Sequence, residues 1–210
     1  MSSHEQLEHA EHAEHAAHSN KKIALVIALL ALGLAISETL GKSAQTTALT
    51  DNIKSSDTWA FFQAKTIRQT TLRTAAESMA LVAPTVSNDE AKAAMTKQID
   101  AWKKTVARYE SEPETNEGRK ELMARAQAAE HDRDHQLSKY HAYEFASATY
   151  QIGIVLASAA VITSIIALAY AAVALGIFGV VFTGIGIFAP ETMHDAMHWL
   201  EHLSHASGTH

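Results

Sequence analysis

The chain has 210 residues, a formal charge of −6, 13 histidines and no cysteine. Without cysteine there are no disulfides, thiolate metal sites or cysteine nucleophiles. Basic residues alternate with acidic ones, as in Lys103-Lys104 before Glu110 and Arg119-Lys120 before Glu121, which excludes the one-sided basic face of a nucleic-acid binder.

Residues 1–22 form a tail rich in His and Glu, with Glu8-His9, Glu11-His12 and Glu14-His15 repeating every three residues and His18 continuing the series. Three residues turn a helix by about 300°, so these histidines drift around its circumference and read as a polar tail. A first apolar run, residues 23–40, follows Lys21-Lys22 and reads as a membrane anchor. A cleaved signal would start with a short basic region, not a long His/Glu segment. Within this run Gly33, Ser37 and Gly41 recur four apart, a spacing that lets helix backbones approach closely in lipid.

Residues 41–143 are expected to be a water-facing helical hairpin. Met95, Ile99, Trp102, Val106 and Tyr109 alternate steps of four and three, the mark of a coiled-coil seam. Upstream, Ile53, Ala60, Ile67, Thr74 and Leu81 recur every seven residues, with Asp57, Ala64, Thr71 and Ser78 between them, and predict a second, weaker seam. At 1.5 Å per residue Lys42 to Val82 rises about 60 Å, and Asn88 to Tyr109 and Glu117 to Tyr143 about 33 and 40 Å. The two shorter pieces together match the long one. The tip is therefore placed at Pro84 to Asn88, with Ser87 and Glu90 as a capping box, and the descending leg is interrupted near Pro113. His131 and His135, beside Asp132 and Asp134, read as a solvated charged face.

Residues 144–189 hold no Asp, Glu, Lys, Arg or His after Glu144 and are long enough for two spans, with the turn expected near Ala169-Tyr170-Ala171. Small residues four apart recur at Gly153 and Ala157, and at Ala172 and Gly176. Glu38 and Glu144, at the edges of their spans, read as interfacial carboxylates.

Residues 190–210 form an amphipathic helix after Pro190. His194, His198, His202 and His205 fall within an arc of about 80°, with Glu201 on the same side and Met193, Met197, Trp199, Leu200 and Leu203 opposite. Neutral imidazoles one turn apart suit zinc or nickel, with Glu201 able to complete the site. The same array would also gain charge as pH falls through about 6.5.

Two motifs fail on spacing. Gly41-Lys42-Ser43 would need an earlier glycine where Ile36 stands, and His4-Glu5-Gln6-Leu7-Glu8 puts a glutamate where a zinc-protease helix needs its second histidine. Nothing here reads as a catalytic pocket, and no enzyme activity is expected.

The layout as a whole resembles an uncharacterised bacterial membrane family catalogued as a domain of unknown function. The resemblance rests on the His/Glu-rich start, Ile36-Ser37-Glu38-Thr39 closing the first span, Trp59-Ala60-Phe61-Phe62-Gln63-Ala64-Lys65 in the helical domain, and the closing apolar hairpin. It implies a bacterial inner membrane and brings no activity, cofactor or catalytic residue. The expectation is an all-α protein with three transmembrane helices, a coiled-coil hairpin and a C-terminal amphipathic helix. Its partners would be the lipid bilayer and further copies of itself. The Lys/Arg excess beside the spans favours a cytoplasmic hairpin. Function is expected to be that of a non-enzymatic, self-associating scaffold or sensor. The alternative is a small oligomeric channel or metal-handling transporter whose His-rich ends collect ions.

Overall fold

A computed structural model of the chain describes the backbone of residues 3–192 and the side chains of residues 21–192. Four α-helices and one 3₁₀ turn account for its regular structure, and no strand occurs among the described residues. Helix α1, Ser3–Val82, contains no proline and only two glycines, Gly33 and Gly41. It stops where Pro84 removes a backbone donor, passing into the 3₁₀ turn Ala83–Thr85.

Helix α2, Asp89–Glu110, is capped by Asn88, whose side chain accepts from the backbone of Glu90 and Ala91. Ser87 therefore does not serve as the expected cap; Asn88 stands one residue nearer the first unpaired amides and reaches them. Residues 111–118 form the interruption around Pro113, with Asn116 in the left-handed region at φ 56°. Helix α3, Arg119–Thr163, then runs 45 residues. It ends at Ser164, also left-handed at φ 56°, where the Thr163 hydroxyl accepts from the Ile165 amide at 3.4 Å. Helix α4, Ile166–Phe188, closes before Pro190. The turn between the apolar helices thus lies at Ser164-Ile165 and not at Ala169 to Ala171, which are inside α4; the left-handed backbone of Ser164 breaks the helix there.

By length and composition, α1, α3 and α4 are each apolar enough over part of their course to cross a membrane. The chain divides into two compact units, one formed by the chain up to Ala48 and from Asp134 onward, the other by Leu49–Arg133. In the first, Ile23, Leu30, Ala146, Tyr150, Ala157, Ala160 and Ala172 form the core, with Val26, Ile27, Leu34, Ile154 and Phe182 packed against it.

In the second unit the seam read on α2 is the one that packs: Ile99 is buried and Met95, Trp102, Val106 and Tyr109 are half-buried. The seam read on α1 is not. Ile53 is 53 % exposed, Ile67 66 % and Leu81 80 %. The inward stripe instead runs through Ser55, Thr58, Phe62, Lys65, Gln69, Leu72, Ala76, Met79 and Ala83. Its steps of three and four are those of a heptad, but Ser55, Thr58, Lys65 and Gln69 interrupt it with polar side chains, so a search for apolar repeats selects the wrong face.

Candidate functional site

In the first unit two tyrosines on α3, seven residues apart, organise the packing. Tyr150 is 4 % exposed, and its ring lies against Gly33 of α1 and Gly179 of α4. A Cβ at these glycines would stand 2.8 Å and 2.6 Å from the ring, closer than atoms pack, so both positions require glycine for this arrangement. Tyr143 sits likewise against Gly186 and Gly41, and Leu30 against Gly153 and Gly176. The small residues four apart on α1, α3 and α4 therefore receive large side chains from neighbouring helices. Among them Ser37 is fully buried, and its hydroxyl shares a 2.9 Å hydrogen bond with that of Thr183. Thr183 also donates to the Gly179 carbonyl at 2.8 Å, so the hydroxyls satisfy one another within an otherwise apolar interior.

Two concavities border this core. One, of about 720 Å³, is an apolar trough between α1 and α4, lined by Leu29, Leu32, Ile36, Val173, Ile177 and Val180 among others. The other, of about 270 Å³, lies between α1 and α3, where Glu38, Lys42, Gln45, Tyr140 and Glu144 meet. Here Glu38 accepts from Gln151 at 3.4 Å, and Glu144 accepts from Tyr140 at 3.4 Å and stands 3.5 Å from His141. These are the two edge carboxylates of the sequence, and the fold brings them to one polar hollow.

The second unit holds a denser polar cluster, built where the end of α2 and the start of α3 face α1. Arg119 donates to the Thr66 hydroxyl at 2.9 Å, to Gln69 at 2.7 Å and to Glu110 at 2.8 Å, with its guanidinium 5.0 Å from the Phe62 ring centroid. Gln69 in turn donates to Glu110 at 3.0 Å and to the Val106 carbonyl at 3.1 Å. The bond from Gln69, followed by the charge of Arg119, holds the Glu110 carboxyl below the usual carboxylate range. Lys65, 4 % exposed, lies 3.6 Å from Glu112 and 3.7 Å from Glu117, between the rings of Phe61 and Tyr109. The connection is tied by Glu121, which accepts from the Ser111 hydroxyl at 2.6 Å and from the Glu112 amide. A Cβ on Gly118 would collide with that carboxylate and with the Glu112 nitrogen. Further along, Glu130 accepts from the Trp59 indole at 2.8 Å. Among the described residues no buried side-chain nitrogen or oxygen lacks a partner.

A family model for DUF4337, a domain of unknown function, matches residues 19–189. The chain belongs to this family. No curated protein and no solved structure matches it. The DUF4337 region covers all four helices from near the start of the first apolar run, and it ends before the histidine stripe.

Of the residues singled out in the sequence, His194, His198, Glu201, His202 and His205 lie outside the described residues. Among the described residues no group of three His, Asp or Glu side chains is placed to hold a metal. His131 is exposed, as a solvated face requires, while His135 is half-buried with its Nδ1 4.0 Å from Glu191. Sequence reading missed Tyr143, Tyr150, Lys65, Gln69 and Arg119. A signal existed for the tyrosines, the only ring hydroxyls seven residues apart leading into an apolar block. The polar cluster joins residues 9 to 53 positions apart, a separation that no local pattern registers.

Proposed function

We propose that this DUF4337 protein is a non-enzymatic, self-associating scaffold anchored in the bacterial inner membrane by three spans, with the Leu49–Arg133 unit in the cytoplasm. The observation that carries this reading is how the polar side chains of that unit are used. Arg119, Gln69 and Glu110 are bonded to one another and Lys65 is paired with Glu112 and Glu117, with the Lys65 ammonium over Phe61 and Tyr109 and the Arg119 guanidinium over Phe62. Networks closed in this way specify a single packed arrangement and leave little capacity for a ligand. The apolar unit supports the anchor: its helices have the length and hydropathy of spans, and the close approach at Gly33, Gly179 and Gly186 is the packing that lipid favours.

The channel alternative has less support. A path through one copy would run past Ser37 and Thr183, whose hydroxyls bond to each other beside the Tyr150 ring.

The test is fractionation followed by sizing. The full chain should stay with membranes through alkaline carbonate, and in nanodiscs its mass should correspond to two or more copies. Release by carbonate would remove the anchor, and a uniform single copy would remove self-association. Ion flux in liposomes containing the protein would favour the channel.

A further inference from the structure

We infer that self-association is made by the outward face of α1 in the Leu49–Arg133 unit, which pairs in parallel with the same face of a second copy; this deepens the scaffold reading and rests on it. The residues are Ile53, Ala60, Ile67, Thr74 and Leu81, spaced by seven, all exposed and all uncharged. A helix surface facing only water would carry charges at such positions, because they are the furthest from its own core. Most charges sit elsewhere: Arg68 and Arg73 lie about 100° to either side, while Asp57 and Glu77 stand at the stripe's two margins, about 50° from its centre.

The threonines strengthen the apolar character of this face. Thr66, Thr70 and Thr71 donate their hydroxyls to carbonyls of their own helix, those of Phe62, Thr66 and Ile67, at 2.8 to 2.9 Å. Their hydroxyls are thereby engaged, and they contribute methyl groups to a shallow trough of about 620 Å³ lined with Ile67, Thr74, Ala75 and Ser78. A trough of small residues between large ones at Ile53, Ile67 and Leu81 is the relief that receives another helix.

Three features commit the occupant to a second copy. A seven-residue interval is the period at which two long helices stay in contact as they wind together, and here it holds from Ile53 to Leu81. In the sequence the same interval runs back through Thr46, Thr39, Leu32 and Leu25, again without charge, so a matching partner needs a helix that passes from polar into apolar surroundings as α1 does. Copies inserted in one membrane carry α1 in the same direction, which sets each stripe residue opposite its own counterpart. The area suffices under those conditions. Leu49 to Leu81 covers about 48 Å of helix. At a contact width of about 10 Å, two copies bury on the order of 1,000 Å², the lower bound for a specific interface.

The absence of cysteine makes the test direct. Single substitutions Ala60→Cys, Ile67→Cys and Thr74→Cys, with Arg68→Cys and Arg73→Cys as controls, are oxidised in membranes containing the full chain. Disulfide-linked dimers at 60, 67 and 74 but not at 68 and 73 are expected, since only parallel, in-register stripes bring like positions together. In nanodiscs Ile67→Lys should weaken dimerisation at least about tenfold with helicity unchanged, because two ammonium groups would face each other. If the protein is multimeric yet links only through 68 or 73, or if Ile67→Lys leaves it fully dimeric, the stripe is wrong and the scaffold reading stands. If it is monomeric and links nowhere, both fall. A monomer whose stripe cysteines resist a water-soluble maleimide would assign the face to lipid or another protein and overturn the pairing.

Discussion

Arg119 shows how much one residue carries in this fold. Its side chain is three-quarters buried and joins α1 to both flanking helices through Thr66, Gln69 and Glu110. Arg119→Met keeps the stem over Phe62 but strands three polar partners. Glu110 is part-exposed, so water recovers part of the loss, and a cost of about 2 kcal/mol is expected. Denaturant unfolding of the full chain in detergent measures it, and an unchanged midpoint would deny Arg119 its bridging role. Acid should reach the same network. Glu110 is held below the usual carboxylate range in the folded protein, so its contribution is complete above about pH 4.3, the unfolded value, and is lost as pH falls through the lower folded value. Wild type should therefore lose stability below about pH 4 more steeply than Glu110→Gln; parallel curves would contradict this assignment.

At the scale of elements, the tyrosine and glycine contacts separate two kinds of glycine on one helix. Gly179→Ala in α4 drives a methyl into the Tyr150 ring and should destabilise by roughly 1–3 kcal/mol. Gly184→Ala, five residues later, meets nothing within 4 Å and should be neutral or slightly stabilising in a helix. Tyr150→Leu should lessen the penalty of Gly179→Ala, and thermal melts of the four proteins in one detergent give the comparison. The sequence made the helices legible because apolar content, Pro84, Pro113 and Pro190 mark their extents almost alone. It also made the α2 seam legible, because Ile99, Trp102 and Val106 are apolar where they pack. The α1 seam was hidden because Ser55, Lys65 and Gln69 pack inward while Ile53, Ile67 and Leu81 point out. Hydropathy cannot distinguish a buried lysine with two carboxylates from an exposed one, since the partners come from other helices. The turn at Ser164 was missed for a related reason: it consists of one left-handed serine beside a threonine that accepts from the Ile165 amide, without glycine or proline.

For the whole molecule, the three-span reading places Thr85 and His210 on one side of the membrane and Met1 on the other. Reporter fusions after Thr85 and after His210 should agree with each other and differ from one at the amino terminus. Disagreement between the first two would mean that α3 and α4 do not cross as a pair.

The inward seam of α1 also governs when the second unit can form during synthesis. Lys65, Thr66 and Gln69 emerge from the ribosome early, whereas Glu110, Glu112, Glu117 and Arg119 follow up to 53 residues later. At about 5–20 residues per second that is a wait of roughly 3–10 seconds. Throughout it α1 shows uncompensated charge on one side and Ile53, Ile67 and Leu81 on the other. Nascent chains halted before Arg119 leaves the tunnel should therefore be cut readily by protease within Leu49 to Val82, and chains halted well beyond Arg133 should not.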